Sequence, residues 1–501
     1  MTQPGSTSSD GPSSVPPDDI AQLVQQPLGR RWWGYLKLSG PGWIQSAFTL
    51  GAGTLGSSLF LGALLGYSLL WIQPVAMACG IIMFSAVAYQ VLWTDKRPIR
   101  AVYEHVHPAM AWGWGIASLL ASLIWAMPQY SVSVSVVEDA TGRSFAGVDS
   151  LIPSLAILAL LIVICWNYDN SSAGVRWFEN ITKVLVAIII ISFVAVVVAT
   201  GINWAATAQG FLGFEVPRAG QEFEAWRPAA HELASRAAAL GKAPPNLMAK
   251  IGDMGFESML GGFAAAVGIN MTFLFPYSLR RRNWTAPHTG LARFDLWVGM
   301  FVPFLITVTC IVIASANRFH GQMTLDQLVP GVDQQLAAGM LELAKPGARQ
   351  MSQVLENLAG PFMARIVFGA GVLGMTISSI AMQMLVGGFV ATELFGARRG
   401  SLGHRVALLS PGVVGMLGPL VWSKYQFYMA VPTSVINLTF LPIAYISFFI
   451  LHNSKSYLGE ARPRGARRWG WNLAMGVSIA LVTAGALYAA VGNMAKLFGK
   501  G

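Results

Sequence analysis

Gly51-Ala52-Gly53-Thr54 is the stretch that decides how this chain folds, and it lies inside an apolar segment running from about Gly40 to Gly66. Glycine adopts backbone angles that other residues avoid, and each glycine in a helix interior costs about 1 kcal/mol relative to alanine. Two glycines so close together predict a break in a membrane-spanning helix. Such breaks occur at membrane depth only where the exposed backbone lines protein or a water-filled cavity. We therefore expect the rest of the chain to be built around this point.

The composition indicates a multispan membrane protein. Of the 501 residues, 54% are hydrophobic and 11% are charged, whereas soluble domains carry about 25% charged residues. The net charge of +10 would suit a nucleic-acid-binding protein, but the basic residues cluster in short loops between apolar segments, where they set membrane orientation. The sequence therefore predicts the lipid bilayer as a partner and excludes nucleic acid.

The sequence carries no signature of an enzyme or a cofactor site. Cys79, Cys165 and Cys310 all lie in apolar stretches, and neither a CxxC nor an HExxH pattern occurs. Buried cysteines of this kind behave as small hydrophobic residues. Because no His/carboxylate cluster lies at membrane depth either, we expect no catalytic activity and no cofactor.

The apolar segments predict about eleven transmembrane helices, since each offers roughly the 20 residues needed to cross a bilayer core. We expect residues 1–35, which are rich in Pro, Ser, Gly and Asp, to be a disordered cytoplasmic tail, and residues 36–500 to form a single transmembrane domain. The expected spans are 40–65, 67–92, 112–137, 149–167, 176–200, 256–279, 294–316, 361–394, 404–422, 427–451 and 470–497.

The basic residues predict the orientation. With the N-terminus in the cytoplasm, the inside segments hold the Arg and Lys residues of 30–31, 96–100, 280–282, 398–399 and 462–468, whereas the short outside loops hold little beyond Arg143 and Lys424. This asymmetry predicts that the N-terminus lies on the cytoplasmic side of the cell membrane. With an odd number of spans, the C-terminus then lies outside. The long segments 201–255 and 317–360 then lie outside, where we expect them to be partly helical and to cap the outer face.

A second interruption is predicted in span 6. Residues 266–270 read Ala-Val-Gly-Ile-Asn in mid-span, and Pro276 follows; the residue before a proline avoids the helical region. Spans 1 and 6 are five apart, so a broken helix opens each half of a five-plus-five inverted repeat, over 40–200 and 256–451, with 470–497 as an extra helix. This layout is typical of secondary transporters, whose substrates bind at such breaks. Glycines can also serve only helix packing, and we assign that role to Gly62 and Gly66.

Several blocks of this sequence resemble the natural resistance-associated macrophage protein (Nramp) family of divalent metal transporters. The blocks stand in the family's order across about 35–497. They are Gly-Pro-Gly-Trp at 40–43, Gly-Tyr-Ser-Leu-Leu-Trp at 66–71, Gly-Val-Arg at 174–176 with Glu179, Ser-Ser at 378–379 with Leu385, Gly387 and Val390, and Leu-Pro at 441–442. The resemblance implies an all-α polytopic protein with a leucine-transporter-like inverted repeat that works by alternating access.

The departures from the family concern its metal site. In the register that the resemblance implies, Gly51 replaces the aspartate and Thr54 the asparagine of span 1, and Ser434 replaces a glutamine of span 10. In span 6, Ile269, Thr272, Phe273 and Leu274 stand where the family has an alanine, a methionine and a Pro-His pair, although Met271 is one residue away. The acidic residue of span 3 falls near Pro128-Gln129.

The chemistry of these residues is compatible with two kinds of substrate, a hydrated divalent cation and an organic solute. Manganese and iron sites combine carboxylates with softer nitrogen or sulfur donors, whereas a neutral oxygen site suits a cation that keeps most of its water, as Mg²⁺ does. Without a fixed negative charge, the exposed half-helix N-terminus favours an anionic group of an organic solute. The candidate substrate-binding residues are Gly51, Gly53, Thr54, Ile269, Asn270, Thr272, Gln383, Ser434 and Asn437, with Thr54, Asn270 and Thr272 as the metal ligands.

The leading prediction is thus a transporter of divalent metal ions, with magnesium favoured over manganese or iron. The alternatives are a transporter of a small organic solute and a non-transporting membrane scaffold or sensor, against which the retention of both breaks argues. Asn270 can equally cap a helix end, and Gln383 and Asn437 can serve only interhelical hydrogen bonds. We expect the carboxylates Glu179, Glu257, Asp295 and Glu393, near span ends, to form interfacial ion pairs.

Overall fold

The computed structural model describes residues 17–94, 96–170, 172–218, 221–344, 356, 360–421 and 429–497. Throughout these residues the regular secondary structure is helical. Ten helices in them are long and apolar enough to cross a membrane, and one bent pair of shorter helices makes an eleventh span. The predicted number of spans is confirmed.

We number the spans in chain order. Their bounds are Pro41–Thr49 (1a) and Ala52–Leu65 (1b), Ile72–Thr94 (2), Pro108–Thr141 (3), Leu151–Asn170 (4), Ser172–Thr200 (5), Leu247–Ala266 (6a) and Ile269–Arg281 (6b), Ala286–Phe319 (7), Phe362–Leu394 (8), Leu402–Val421 (9), Ala430–Asn453 (10) and Gly465–Leu497 (11). Shorter helices are Pro17–Gln25, Leu28–Leu38, Pro98–His105, Trp204–Leu212, Arg227–Ala239, Leu325–Leu328, Val332–Ala338 and Lys455–Leu458.

Span 1 breaks where the glycines predict. Spans 1a and 1b meet at an angle of 53°, because Leu50 (φ −77°, ψ 71°) and Gly51 (φ −125°, ψ −171°) leave the helical region. Any residue can adopt the angles of Gly51, so conformational freedom is not the reason for a glycine here. The break is confirmed, and the need for glycine comes from close packing around it.

Span 6 is also interrupted at the predicted place. Val267 (φ −146°, ψ 115°) and Gly268 (φ −92°, ψ 162°) are extended and separate spans 6a and 6b. Span 6a begins at Leu247, earlier than the predicted 256, because the side chain of Asn246 caps it by accepting a 2.9 Å hydrogen bond from the backbone N–H of Ala249. Part of the segment expected to be an outside loop therefore belongs to this helix.

The entry to span 2 differs from the prediction. The helix begins at Ile72 rather than at 67, because Gly66 has φ +64° and the chain turns between the two spans. Gly62 packs as predicted, since a Cβ atom there would lie 2.4 Å from the carbonyl oxygen of Val312 in span 7. Span 7 begins at Ala286, well before the predicted 294, and the other spans begin and end within about five residues of the prediction.

The predicted disordered tail over residues 1–35 is helical from Pro17 onward. Ile20 is fully buried, and the side chain of Leu23 lies against Gly34, where an added Cβ atom would come within 2.4 Å of it. This packing gives the two N-terminal helices the apolar contacts that the composition did not reveal. Residues 1–16 lie outside the described part of the chain.

The segments between spans 5 and 6 and after span 7 are partly helical, as predicted, and cover the Leu65 end of span 1b. The indole N–H of Trp226 donates a 2.8 Å hydrogen bond to the carbonyl oxygen of Leu64. The ring of His320 contacts Trp226 edge-on, with 5.8 Å between ring centroids. These contacts fix a cap over the end of the bundle opposite the N-terminal helices.

Candidate functional site

The break in span 1 lies against spans 3 and 8. A Cβ atom on Gly51 would lie 2.8 Å from Ser379 Oγ and 3.0 Å from Gln129 Nε2, so no larger residue fits without displacing them. The backbone N–H of Ala52, which opens span 1b, donates a 2.8 Å hydrogen bond to Gln129 Oε1. A neutral amide therefore caps the half-helix N-terminus, a place where the helix dipole favours negative charge.

The indole of Trp125 fills the space between the two breaks. A Cβ atom on Gly53 would lie 3.1 Å from Trp125 Nε1, and one on Gly268 would lie 3.0 Å from Trp125 Cζ3. The residue is 2% exposed, and its indole N–H has no hydrogen-bond partner in the described part of the chain. A buried donor without a partner is costly, so this N–H is a candidate contact for a substrate.

Hydroxyl groups of span 1 join the two breaks directly. Thr49 Oγ1 is 2.9 Å from the carbonyl oxygens of Ala265 and of Ala266 at the end of span 6a, and it donates to these acceptors. Thr54 Oγ1 donates to the carbonyl oxygen of Thr49. Because the Thr54 proton points to the backbone, the lone pairs of this hydroxyl remain as acceptors.

In span 6, the structure gives Asn270 and Thr272 partners within the protein. Asn270 Oδ1 accepts from the backbone N–H of Met271 at 3.0 Å, and Asn270 Nδ2 donates to Ser122 Oγ at 3.3 Å. Thr272 Oγ1 donates to the carbonyl oxygen of Ile269 and accepts from the Trp114 indole N–H at 3.0 Å. With these hydrogen bonds, Asn270 and Thr272 stabilise the start of span 6b.

The thioether of Met271 is also engaged. Its sulfur accepts from the backbone N–H of Gly268 at 3.3 Å. Within the described residues, no group of three or more His, Cys, Asp or Glu side chains is placed to hold a metal ion. The oxygen atoms around the breaks are therefore neutral ones.

Spans 8 and 10 contribute amides and a hydroxyl. Gln383 Nε2 donates to Ser379 Oγ at 3.3 Å, and Gln383 Oε1 is buried without a partner in the described chain. Ser434 Oγ donates to the carbonyl oxygen of Ala430 at 2.8 Å and lies 2.5 Å from where a Cβ atom of Gly53 would be. Asn437 is 1% exposed, and neither its amide nitrogen nor its oxygen has a partner among the described residues.

The structure thus brings Gly51, Gly53, Ser434 and Gln383 together with two residues outside the predicted binding set, Trp125 and Gln129. Trp125 is one of 17 tryptophans in the chain, and nothing in the sequence alone separates it from the others. The register of span 3 did place Gln129 near the expected acidic position. Its role as a cap depends on the position of the Ala52 backbone N–H in span 1, which the sequence does not give.

A charged cluster holds the other end of span 1a. Arg282 and Glu179 form a two-point ion pair, with Nη2–Oε2 at 2.6 Å and Nε–Oε1 at 2.9 Å. The backbone N–H of Gly42 donates a 2.6 Å hydrogen bond to Asp295 Oδ2, and Lys183 Nζ donates to the carbonyl oxygen of Ser39 at 2.7 Å.

The position of this cluster differs from the predicted interfacial pairing. The carboxylates of Glu179 and Asp295 are 2% and 1% exposed, because the entry to span 1a lies over them. Gly40 leaves the space for the pair, since a Cβ atom there would come within 2.7 Å of both Glu179 and Arg282. Glu393, near the end of span 8, pairs with Arg97 at 3.9 Å.

Comparisons with known proteins agree with this architecture. A family model described as "Natural resistance-associated macrophage protein-like" matches residues 42–488. The sequence matches none of the curated protein sequences.

Solved structures share the fold. The Eremococcus coleocola manganese transporter in complex with an aromatic bis-isothiourea substituted compound has a TM-score of 0.69 at 14% identity, with 99% of this chain and 92% of that chain covered. A mutant of that transporter gives 0.68 at 13% identity, with 99% and 92% covered. MhsT in complex with L-phenylalanine gives 0.52 at 13% identity, with 89% and 98% covered.

Proposed function

Because the chain belongs to the natural resistance-associated macrophage protein family, we propose that it is a secondary transporter that moves a divalent metal ion by alternating access. The ion that its site fits best is one that keeps most of its water, with Mg²⁺ favoured over Mn²⁺ or Fe²⁺. The proposed binding region comprises the two helix breaks and the side chains that face them.

The neutrality of the groups at the breaks carries this proposal. The free acceptors at the breaks are the hydroxyls of Thr54 and Ser434, whose protons are donated to the backbone. About one turn farther along spans 8 and 10, the buried amide oxygens of Gln383 and Asn437 also have no partner among the described residues. Hard oxygen donors of this kind hold a hydrated ion through its water shell. Manganese and iron would gain nothing over magnesium, because their preference depends on nitrogen and sulfur donors.

Hydrogen bonds within the protein favour some of the candidate ligands over others. Thr54 keeps free lone pairs, whereas the side-chain oxygens of Asn270 and Thr272 are already in hydrogen bonds. We therefore propose Thr54, Ser434, Gln383 and Asn437 as the contacts of the hydrated ion. Asn270 and Thr272 then stabilise the start of span 6b.

A small organic solute with a carboxylate or another acceptor group is the second candidate. Two buried donors, Trp125 Nε1 and Gln129 Nε2, have no partner in the described chain, and both lie close to the span 1 break. Donors bind an acceptor and repel a bare cation. The similar MhsT structure, which is in complex with L-phenylalanine, is an instance of an organic ligand on this fold.

The experiment that tests the proposal is flux into proteoliposomes containing the purified protein. An interior dye that reports Mg²⁺ or Mn²⁺ measures metal entry, and a second, pH-sensitive dye measures proton movement. We expect Mg²⁺ entry at millimolar concentrations, little discrimination against Mn²⁺ and no coupled acidification, because span 3 presents Gln129 rather than an acid at the break. Absence of metal entry under every condition would contradict metal transport.

One substitution separates the two candidates. Trp125→Phe keeps a ring between the breaks but removes the unpartnered N–H, so it should weaken thermal stabilisation by carboxylate-bearing solutes and leave the response to Mg²⁺ unchanged. Trp177→Phe, at a side chain that is 43% exposed, is the matched control. A solute that stabilises the wild type, loses its effect in Trp125→Phe and crosses the membrane would establish the second candidate instead.

A further inference from the structure

A cavity separate from the helix breaks lies between spans 2, 7 and 11. Its volume is about 420 Å³. Ile81, Ile82 and Ser85 of span 2 form its inner wall, and Arg293, Arg467 and Trp471 form its rim. It lies at the end of the bundle that carries the basic run 462–468, the end for which the charge asymmetry predicts a cytoplasmic location.

Two guanidinium groups meet at this cavity with no acidic side chain in its lining. The Arg293 guanidinium lies 5.3 Å above the ring of Trp471, and that of Arg467 lies 5.4 Å from the ring of Tyr89. Arg293 Nε and Nη2 are buried and have no hydrogen-bond partner among the described residues. The imidazole of His452 is 5.1 Å from Trp471, and both its nitrogens are likewise unpartnered in that part of the chain.

Other arginines at this end of the bundle form ion pairs with carboxylates. Arg282 pairs with Glu179, Arg464 with Glu460 and Arg97 with Glu393. In the described lining of the cavity the two guanidinium groups have no such partner and repel each other, and a buried unpaired charge is expensive. The arrangement is stabilised by an anion with several acceptor oxygens, and phosphate fits the planar donor fork of arginine.

The surroundings of the cavity indicate that this phosphate belongs to a lipid. Trp297 and Trp469 are 47% and 78% exposed, and tryptophan at such exposure is typical of the membrane interface. Farther along span 11, Leu473 and Val477 are 71% and 51% exposed. An apolar, outward-facing helix surface thus continues from the basic rim toward the middle of the membrane.

We propose that this cavity binds the phosphate headgroup of an anionic phospholipid, with Arg293 and Arg467 contacting the phosphate oxygens and the acyl chains lying along spans 7 and 11. Basic pockets between helices on the cytoplasmic side are suited to anionic headgroups. The inference does not depend on which cargo the helix breaks bind.

The test compares lipid retention by variants of the full chain. The purified protein is reconstituted in nanodiscs of phosphatidylcholine with or without phosphatidylglycerol, and bound lipid is counted by native mass spectrometry after release. We expect wild-type protein to retain phosphatidylglycerol preferentially, and Arg293→Gln with Arg467→Gln to reduce that preference by about fivefold for each guanidinium removed. Arg464→Gln, at an arginine paired with Glu460 outside the lining, removes one charge; it is the control for each single arginine substitution, Arg293→Gln or Arg467→Gln, and should behave as wild type.

A second pair of variants tests the site by filling the cavity, so that the test does not depend on the folding of the arginine variant. Gly470 lines the cavity, Gly476 does not, and an added Cβ atom meets nothing within 4 Å at either position. Gly470→Leu should therefore fill the cavity mouth and lower lipid retention, whereas Gly476→Leu on the same helix should not. Equal retention by all variants would overturn the site. Displacement of the lipid by millimolar inorganic phosphate or glycerol 3-phosphate would overturn its assignment to a lipid and show a soluble phosphate site.

Discussion

The side-chain oxygen of Gln129 lies 2.8 Å from the backbone nitrogen of Ala52 and accepts its hydrogen bond. This contact joins span 3 to the first residue of span 1b. It satisfies one of the amides that a helix N-terminus leaves without a partner, and it does so with a neutral group. The break can therefore persist inside the protein without a bound ion and without a carboxylate.

Gln129→Glu should raise the affinity for divalent cations. The carboxylate can accept the same hydrogen bond and adds a negative charge at the positive end of a half-helix. At 4 Å and an effective dielectric of 20, one unit charge attracts another by about 4 kcal/mol, so even after losses to dehydration we expect a gain of about a hundredfold or more. Calorimetry with Mg²⁺ and Mn²⁺ measures it, with Gln129→Met as a neutral control that removes the cap.

Introducing a carboxylate at the span 1 break should raise the affinity for Mn²⁺. Gly51→Asp alone collides with the Ser379 hydroxyl, so the variant to make is Gly51→Asp with Ser379→Ala. In this variant the Gln129 amide, 3.0 Å from the added Cβ atom, still has to move by a few tenths of an ångström. We expect the wild type to bind both ions at about millimolar Kd, and the variant to bind Mn²⁺ more tightly than the wild type does, because the carboxylate adds a negative charge that attracts the cation. Gly51→Asn with Ser379→Ala is the uncharged control. Micromolar Mn²⁺ binding by the wild type would mean that the ligands lie elsewhere.

The helix breaks could be predicted from the sequence because they depend on local chemistry. Glycines at 51, 53 and 268 in apolar segments mark them, and the order of the five blocks led to the family that the match over residues 42–488 now confirms. The predicted leucine-transporter-like helical fold is confirmed as well, by similar structures of the same architecture.

The contacts between spans could not be predicted in the same way. Whether Trp125 lies at the interface or between two breaks depends on the rotation of span 3, and a helix with polar and apolar residues on every side does not reveal that rotation. Glu179 and Asp295 stand near span ends in the sequence, but the entry to span 1a buries them. The predicted reason for a glycine at position 51 is also wrong, because close packing rather than the backbone angles requires it.

Removing one partner of the buried ion pair at the span 1a entry should destabilise the protein. Glu179→Gln leaves the Arg282 charge buried with a weaker partner, and breaking such a pair costs about 3–5 kcal/mol. Glu179→Gln with Arg282→Met removes both charges and should recover much of that loss. Glu460→Gln breaks an exposed pair with Arg464 and should cost less than about 1 kcal/mol. Thermal unfolding in detergent compares the variants; equal losses at the two pairs would contradict the buried role of Glu179.

The cap over the Leu65 end of span 1b should weaken on acidification through His320. Burial lowers the pKa of His320, and hydrogen bonds to the backbone of Ala63 and Leu64 offset this only in part. The folded protein therefore favours the neutral ring, while the unfolded chain takes up a proton near pH 6.5. Stability contributed by the neutral ring is present above that pH and falls as the pH is lowered through it.

The measurement is the difference in Tm between wild type and His320→Gln at pH 7.5 and pH 5.5. Glutamine can accept or donate similar hydrogen bonds but does not titrate in this range. The wild type should lose more stability than the variant on acidification. An identical pH dependence of the two proteins would show that His320 does not titrate on unfolding.

The orientation of the bundle is the last prediction, and it follows from the asymmetry of the basic residues. Arg280–Arg282 and the run 462–468 lie at the end of the bundle that carries the N-terminal helices, so this end should face the cytoplasm, and the helix Arg227–Ala239 should lie outside. Cys79, Cys165 and Cys310 are buried, which keeps background labelling low. Single cysteines at exposed positions, Ala238→Cys and Gly403→Cys, report the two ends. In intact cells a membrane-impermeant maleimide should label position 238 and reach position 403 only after permeabilisation. Labelling of 403 but not 238 in intact cells would reverse the orientation and place the proposed lipid cavity at the outer face.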